Sequence, residues 1–180
     1  MPTFAICVKA ECENIASFGP APGAVWKIDV KDPAGDDTRE GVFIDPSNVE
    51  EVKGGRGDAN FILNWTAKRQ GSITMLPVDT LPNGGRFIAS DAGDEMMPVA
   101  LLECRNIEPT AFYFPPEGWT ATAVETGTVF GEGVDDEAMD CTDDWCDYDE
   151  AGDASVSLTS FASEVRRFQV KKKGKGKKRR

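Results

Sequence analysis

The 180-residue sequence contains no histidine. Histidine is the commonest general base and a frequent zinc ligand, so its absence excludes Ser/His and Cys/His nucleophile pairs and imidazole-bound metal sites. Most familiar hydrolase mechanisms are excluded with them. We therefore expect a protein that is not an enzyme.

Long apolar runs are also missing. Residues 1–9 lack the charged start and apolar core of a signal peptide, and no stretch approaches the roughly 20 apolar residues that a bilayer requires. Hydrophobic residues nevertheless make up 40% of the chain, which is enough for a core. These observations predict a soluble monomer of the cytoplasm or nucleus, without membrane contact.

Cysteine is sparse, and its number is odd. The five residues are Cys7, Cys12, Cys104, Cys141 and Cys146. An odd count without an export signal favours reduced thiols over a disulfide framework.

Charge is distributed unevenly along the chain. Of the net charge of −11, residues 171–180 contribute +8, which leaves −19 for residues 1–170. Residues 135–153 carry ten carboxylates, a density typical of a solvated acidic loop.

The flexible C-terminal tail, "KKKGKGKKRR", resembles nuclear-localisation and nucleic-acid-binding segments. Because the rest of the chain repels phosphate, we expect any nucleic-acid contact to be nonspecific, salt-sensitive and confined to the tail. Its candidate contact residues are Lys171, Lys172, Lys173, Lys175, Lys177, Lys178, Arg179 and Arg180.

Alternating apolar residues predict strands through most of the chain, starting with Phe4 to Cys12. Turns rich in proline and glycine separate the segments. No long stretch has the 3.6-residue period of a helix, although residues 46–52 fit one or two helical turns and residues 154–170 fit either state. The fold class is therefore all-β with at most short helices. The other predicted strands cover residues 26–30, 41–44, 60–67, 72–78, 86–90, 98–104 and 119–125.

One pentapeptide occurs twice with a single change, as "ECENI" at residues 11–15 and "ECRNI" at residues 103–107. Each copy is followed by a turn of proline and glycine and then by a strand that begins with tryptophan, Trp26 or Trp119. This shared order predicts an internal duplication. We expect two similar small β-sandwich or barrel-like units, residues 1–94 and 95–170, followed by the tail.

Cysteine and tryptophan at the repeated positions are more typical of a core than of a reactive site. Both residue types are often buried, and neither Cys12 nor Cys104 has a visible base or cationic partner. We therefore predict a structural core that includes Cys12, Trp26, Trp65, Cys104, Trp119 and Trp145.

Five short motifs, in one order along the chain, resemble those of the CXXC-motif-containing zinc-binding proteins of eukaryotes. The resemblance extends from about residue 4 to about residue 160 and implies a fold of two similar all-β domains. It also implies one zinc ion held by two Cys-x-x-Cys pairs. The motifs are "VKAECEN" (8–14), "KGGRGDA" (53–59), "LECRNIEP" (102–109), "AVETGTVF" (123–130) and "WCDYDE" (145–150).

The chain departs from this pattern at the metal ligands. The resemblance places the first cysteine pair at Asp32 and Gly35, and the second at about Trp65 and Lys68. A closed zinc site needs four good ligands, and these residues offer one weak oxygen ligand. We therefore expect no zinc and no other cofactor. Burial of Trp65 between the two hairpin tips would replace about 2–3 kcal/mol of the lost stabilisation.

Three functions are compatible with these observations. The first is a non-enzymatic interaction or scaffold module with an unidentified protein partner. The second is a nuclear or RNA-associated accessory protein directed by its basic tail. The third is an enzyme that uses paired carboxylates as its catalytic groups. The carboxylates that are closely spaced in the sequence are Asp143, Asp144, Asp147 and Asp149. Nothing in the sequence positions them opposite one another.

Overall fold

A computed structural model describes residues 1–54, 57–132 and 138–169 of the chain. Strands dominate these ranges, which confirms the all-β prediction, and residues 154–168 form a strand rather than a helix. No helix in the described ranges is long and apolar enough to span a bilayer. The elements are β1 (Thr3–Glu13), β2 (Ile15–Pro20), β3 (Trp26–Lys31), β4 (Thr38–Ile44), β5 (Glu50–Glu51), β6 (Asp58–Ala59), β7 (Phe61–Thr66), β8 (Arg69–Leu76), β9 (Phe87–Ile88), α1 (Ala89–Ala92), β10 (Met97–Arg105), β11 (Glu108–Tyr113), β12 (Trp119–Ala123), β13 (Val129–Phe130), β14 (Trp145–Asp149) and β15 (Ala154–Phe168).

The largest sheet has six strands in the order β14-β15-β1-β10-β8-β7. Its two central strands, β1 and β10, are antiparallel and carry the two copies of the repeated pentapeptide at their C-terminal ends. A three-stranded sheet, β11-β3-β4, and a four-stranded sheet, β13-β12-β2-β9, complete the main structure. The remaining two-stranded sheet joins β5 to β6.

Strands from the two sequence halves are exchanged in these sheets. Strand β1 pairs with β15 of the second half, and β10 pairs with β8 of the first half. In the same way β2 pairs with β12, and β3 pairs with β11. The pairing pattern of one half is thus repeated in the other. Common ancestry of the halves, and their division at residue 94, stay predictions.

The core contains the two tryptophans that begin the corresponding strands β3 and β12. Trp26 and Trp119 are buried, and their ring centroids are 6.1 Å apart. Phe112 stacks on Trp119 with centroids 5.9 Å apart, and Phe18 approaches the same indole to 6.0 Å. Phe161 of β15 lies 5.7 Å from Phe18, so the aromatic cluster joins all three main sheets and the two sequence halves share one core.

The expectation of a short helix at residues 46–52 is wrong. This segment is a turn followed by the short strand β5. The Asp45 carboxylate accepts hydrogen bonds from the backbone N–H and the hydroxyl of Ser47. From the neighbouring segment, Asn60 Nδ2 donates to the carbonyls of Pro46 and Asn48. Side-chain bonds of this kind satisfy the backbone locally and compete with helix formation.

The repeated pentapeptide forms the same corner twice. Asn14 and Asn106 adopt positive φ values of 55° and 52°, which asparagine tolerates better than most residues. Asn14 Nδ2 donates to the carbonyl of Ser155 at 2.8 Å, and Asn106 Nδ2 donates to that of Gln70 at 3.1 Å. Each asparagine therefore turns the chain into the next strand and binds a strand of the opposite half.

We predict that glycine is better tolerated than alanine at these two corners. Asn106→Gly keeps the positive φ and loses the side-chain hydrogen bond, at a cost of about 1 kcal/mol in the free energy of unfolding. Asn106→Ala adds left-handed strain of roughly 1–2 kcal/mol. Urea unfolding of both variants, and of the same pair at Asn14, measures the difference. Greater stability of the alanine variants would contradict the role assigned to positive φ.

Candidate functional site

Two hairpin turns meet at the position where the family resemblance places a zinc ion. The turn between β3 and β4 contributes Asp32 and Gly35, and the end of hairpin β7–β8 contributes Trp65 and Lys68. Arg69, the first residue of β8, forms an ion pair with Asp32 through Nη2 and Oδ2. The Asp32 side chain is fully buried, whereas that of Arg69 is 35% exposed. The contact that joins the two turns is therefore an ion pair.

Asp32 is fixed by its own turn as well as by Arg69. Its Oδ1 accepts a hydrogen bond from the backbone N–H of Ala34 at 2.9 Å. Its backbone N–H donates to the carbonyl of Asp37 at 2.9 Å, which closes the turn. Both carboxylate oxygens are thus engaged within the site, and the buried charge has a cationic partner, as burial of a carboxylate requires.

The absence of a side chain at Gly35 leaves space for the ion pair. A Cβ atom there would lie 3.2 Å from Asp32 Oδ2 and 3.6 Å from Arg69 Nη2. The position that the resemblance assigns to a ligand therefore faces the arginine–carboxylate contact.

Trp65 is buried, with 7% of its surface exposed, and its indole connects the hairpin to the second sequence half. Nε1–H donates to the carbonyl of Asn106 at 2.7 Å, so the indole binds the corner formed by the second pentapeptide. The Arg39 guanidinium lies 5.7 Å from the ring centroid, a cation–π distance. At Gly71 a Cβ atom would lie 2.9 Å from Nε1, so a larger residue would displace the indole.

The residues at this corner do not fit a zinc ion. Tetrahedral zinc requires four thiolate, imidazole or carboxylate ligands. Asp32 is the single carboxylate among the four positions and is bound to Arg69, Gly35 has no side chain, and Trp65 presents an N–H donor. Lys68 is exposed and cationic. In the three described ranges, no group of three or more His, Cys, Asp or Glu residues is arranged to hold a metal.

The corresponding corner of the second half is held by hydrogen bonds to a buried carboxylate. Asp149, at the end of β14, is buried and accepts hydrogen bonds from the hydroxyls of Thr126 and Thr128. The bond from Thr126 is the main reason that the pKa of Asp149 is lower than usual. This carboxylate is therefore held ionised by hydroxyl donors, an arrangement suited to structure and unsuited to general acid catalysis.

The buried thiols are held in their protonated form. Burial raises the pKa of Cys104 and Cys141 to about 12 and that of half-buried Cys12 to about 11. Burial also raises the pKa of Cys7. Thiols with raised pKa values are poor nucleophiles near neutral pH. Of the five cysteines, Cys146 on edge strand β14 is exposed.

The other residues expected in the core differ in burial. Trp26, Trp119 and Cys104 are buried, and Cys12 and Trp145 are half-buried. Trp145 packs against Phe130, with ring centroids 5.4 Å apart.

The acidic segment and the tail lie partly or wholly outside the described residues. Residues 135–137 and 171–180 are outside them. In the described remainder of the acidic segment, Met139 and Cys141 are buried and anchor it to the core. Asp143, Asp144 and Asp147 are exposed, and Asp149 is buried at its own corner, so these four carboxylates do not form one site.

Arg69 has the largest role among the residues that motif matching does not identify. It follows Lys68 directly, and its partner Asp32 is 37 positions away in sequence. The sequence does contain a signal for this contact in the charges of the two residues. Asp32, which is acidic, occupies the first predicted cysteine position, and Arg69, which is basic, follows the last one. Opposite charges at the tips of two hairpins expected to be joined by a metal indicate an ion pair in its place.

Comparison with known proteins identifies similar chains over nearly the whole length. The family described as "CXXC motif containing zinc binding protein, eukaryotic" matches residues 5–166. The chain is 30% identical over 161 residues to the Homo sapiens protein of that name, covering 88% of this chain and 94% of that protein. It is 32% identical over 120 residues to a UPF0587 protein of Schizosaccharomyces pombe, covering 67% and 68% of the two chains. The solved structure called "Crystal Structure of C1orf123" superposes with a TM-score of 0.78 at 25% identity, covering 92% of this chain and 99% of that one.

We predict that removal of the Arg69 charge destabilises the protein strongly. Arg69→Met keeps most of the side-chain volume but leaves the buried Asp32 carboxylate unpaired, which should lower the free energy of unfolding by at least about 2 kcal/mol. Urea unfolding at neutral pH measures this loss.

Arg166→Met is the matched control, because Arg166 pairs with Glu164 and both side chains are about half exposed. An exposed pair contributes only about 0–1 kcal/mol. Asp32→Asn combined with Arg69→Met should recover part of the loss, since no unpaired charge remains. Equal effects of Arg69→Met and Arg166→Met would contradict the role of the buried pair.

Proposed function

Because the chain belongs to the eukaryotic family of CXXC motif containing zinc binding proteins, we propose that it is a metal-independent member that acts by binding another protein. The observation that carries this proposal is the Asp32–Arg69 ion pair at the position predicted for zinc. Catalysis is not part of the proposed role. The protein functions as an interaction or scaffold module.

The ion pair supports metal independence because it connects the same two turns that a zinc ion would connect. In a zinc-dependent domain, the binding energy of the metal is part of the folding energy. Here Arg69 reaches Asp32 from the second hairpin, and Trp65 adds a hydrogen bond to Asn106 and a buried indole. The corner therefore has its own direct contacts between the chain segments.

The state of the reactive groups supports a binding role over a catalytic one. The chain has no histidine, and burial raises the pKa of Cys12, Cys104 and Cys141. The buried carboxylates Asp32 and Asp149 are each bound by internal donors. None of these groups is poised as a nucleophile or general acid near neutral pH.

We predict that the full chain, purified without a histidine tag and without chelator, contains no stoichiometric zinc and five titratable thiols after denaturation. Inductively coupled plasma mass spectrometry measures the metal, and Ellman's reagent counts the thiols. One zinc per wild-type chain would contradict the proposal.

Cysteine substitutions at the four predicted positions provide the positive control. The variant Asp32→Cys/Gly35→Cys/Trp65→Cys/Lys68→Cys should bind about one zinc per chain, because it restores a tetrahedral thiolate set at the same corner. The matched control, Asp32→Cys/Gly35→Cys alone, supplies two thiolates and should bind zinc much more weakly. Zinc binding by neither variant would show that the corner was wrongly assigned.

The basic tail favours a second function, association with nucleic acid. The +8 charge of residues 171–180 contrasts with the −19 of residues 1–170, so electrostatic attraction to phosphate is confined to the tail. Such a contact releases counterions and reads no sequence. It would concentrate the protein on RNA or DNA without a specific site.

We predict that affinity for a fluorescent single-stranded RNA falls steeply with salt and is lost on deletion of residues 171–180. Neutralisation of several phosphates predicts a loss of roughly a thousandfold or more between low and physiological salt. Fluorescence anisotropy over a KCl series measures it. A variant in which glycine and serine replace the tail residues shows whether RNA affinity depends on the charge of the tail or on its length. RNA binding by the deleted chain would contradict this second function.

A further inference from the structure

A large apolar groove lies beside the three-stranded sheet, and none of the four predicted zinc-ligand positions lines it. Its volume is about 1330 Å³. We define the aromatic groove by the six apolar residues that dominate its walls: Val25, Phe43, Phe112, Tyr113, Phe114 and Phe161. They come from both sequence halves, so the groove exists only in the assembled fold.

The outer rim of the aromatic groove exposes large apolar side chains. Phe43 is 62% exposed, Val25 44% and Tyr113 41%. Lys27 lies between the two aromatic rings, with its ammonium 5.9 Å from the Phe43 centroid and 5.3 Å from that of Tyr113. Apolar side chains gathered in this way on a soluble domain mark a binding surface.

The floor of the groove is built from aromatic rings packed against one another. Phe114 packs against Trp119 and Phe161, with ring centroids 5.5 Å and 5.1 Å apart. Phe112 contacts Phe114 at 5.2 Å, and Pro115 and Pro116 follow directly in the chain. Since proline fixes φ and the rings are interlocked, a ligand would meet a preformed surface at little ordering cost.

The size of the groove favours a peptide over a small molecule. Small-molecule pockets typically measure roughly 300–1000 Å³, and this groove is larger and open to solvent. Walls built from aromatic side chains and proline also match the composition of peptide-binding grooves.

The charge around the groove favours a cationic peptide. Glu117 and Glu132 are exposed and line its rim. Asp29 accepts a hydrogen bond from the Tyr113 hydroxyl at 2.7 Å, which adds a carboxylate beside Lys27. Residues 1–170 carry −19, so the long-range field also attracts a basic segment.

We infer that the aromatic groove binds a short basic segment of a partner protein, with an apolar or aromatic side chain on the floor and a Lys or Arg paired with Glu117 and Glu132. The inference rests on the proposed protein-binding function and names the surface and the partner class. Phe112, Phe114 and Phe161 would bury the apolar anchor. The two glutamates would select against acidic segments.

The test begins with selection of a random-peptide phage library on the full chain. Peptides that are enriched are synthesised with a fluorophore, and their binding is measured by fluorescence anisotropy. We expect the enriched sequences to combine Trp, Phe, Leu or Pro with Lys or Arg. Enrichment of acidic sequences, or no enrichment at all, would overturn the inference.

Matched variants locate the binding surface. Tyr113→Ala should weaken binding of the selected peptide at least about tenfold, and Tyr148→Ala should leave it within about twofold. The two tyrosines are comparable, since each is exposed and donates its hydroxyl to an aspartate, Asp29 or Asp153. Glu117→Lys should weaken binding similarly, whereas Glu150→Lys, at another exposed glutamate, should not.

The results of these experiments distinguish a failure of the groove assignment from a failure of the proposed protein-binding function. Peptides that are enriched but bind Tyr113→Ala and wild type equally would overturn the groove and leave protein binding in place. No enrichment would count against both. Self-association that is abolished by Phe43→Ser, measured by sedimentation equilibrium, would show that a second copy is the occupant and would overturn the inferred partner.

Discussion

Strands β1 and β10 pair antiparallel at the centre of the six-stranded sheet, and the positions of the other sheets depend on this pairing. At the end of each strand an asparagine in the left-handed region directs the chain into the next strand. The next strands, β2 and β11, pair with β12 and β3 of the opposite half, and each corner also binds a strand of that half. The burial of Trp26 against Trp119 follows from the same arrangement. The central pairing, the exchange of strands and the shared core therefore belong to one arrangement.

Under the proposed metal independence, the corner at Asp32 joins its two turns by an ion pair in place of a metal. Structural zinc contributes roughly 10–16 kcal/mol in small metal-dependent domains, far more than a buried ion pair contributes. Arg69 and Asp32 therefore cannot equal the metal alone. The indole of Trp65 and its bond to Asn106 supply packing and a hydrogen bond at the same junction. Strand exchange adds stabilisation from elsewhere, since the hairpin of β7 and β8 is already held by β10.

Much of the fold is predictable from sequence because strands leave a local pattern. The alternation from Phe4 to Cys12 corresponds to β1, and the Trp-led runs correspond to β3 and β12. Strands β2 and β11 lack a comparable alternation, and proline interrupts the start of β11. Partner choice is not local: β15 returns to β1 from the other end of the chain. The turn at Asp45 shows the same limit, since Asn60 stabilises it from outside the segment.

The candidate sites also differ in how far the sequence predicts them. The four positions follow from the family resemblance, and the structure places Asp32 and Gly35 beside Arg69, while Trp65 binds Asn106. Arg69 itself becomes evident only when two distant turns meet. The aromatic groove is less predictable still, because Phe43 and Phe161 come from different sheets and neither lies in a motif.

Exchange of strands also has a consequence for synthesis on the ribosome. Strand β1 is translated first, but its two neighbours, β10 and β15, lie at residues 97–105 and 154–168. The N-terminal strand, whose residues Phe4 to Val8 are all buried in the finished protein, must therefore wait until almost the whole chain has emerged. Non-local pairing of this kind folds slowly and leaves apolar strand edges exposed meanwhile. The apolar face of β1 therefore has no native strand partner during most of translation.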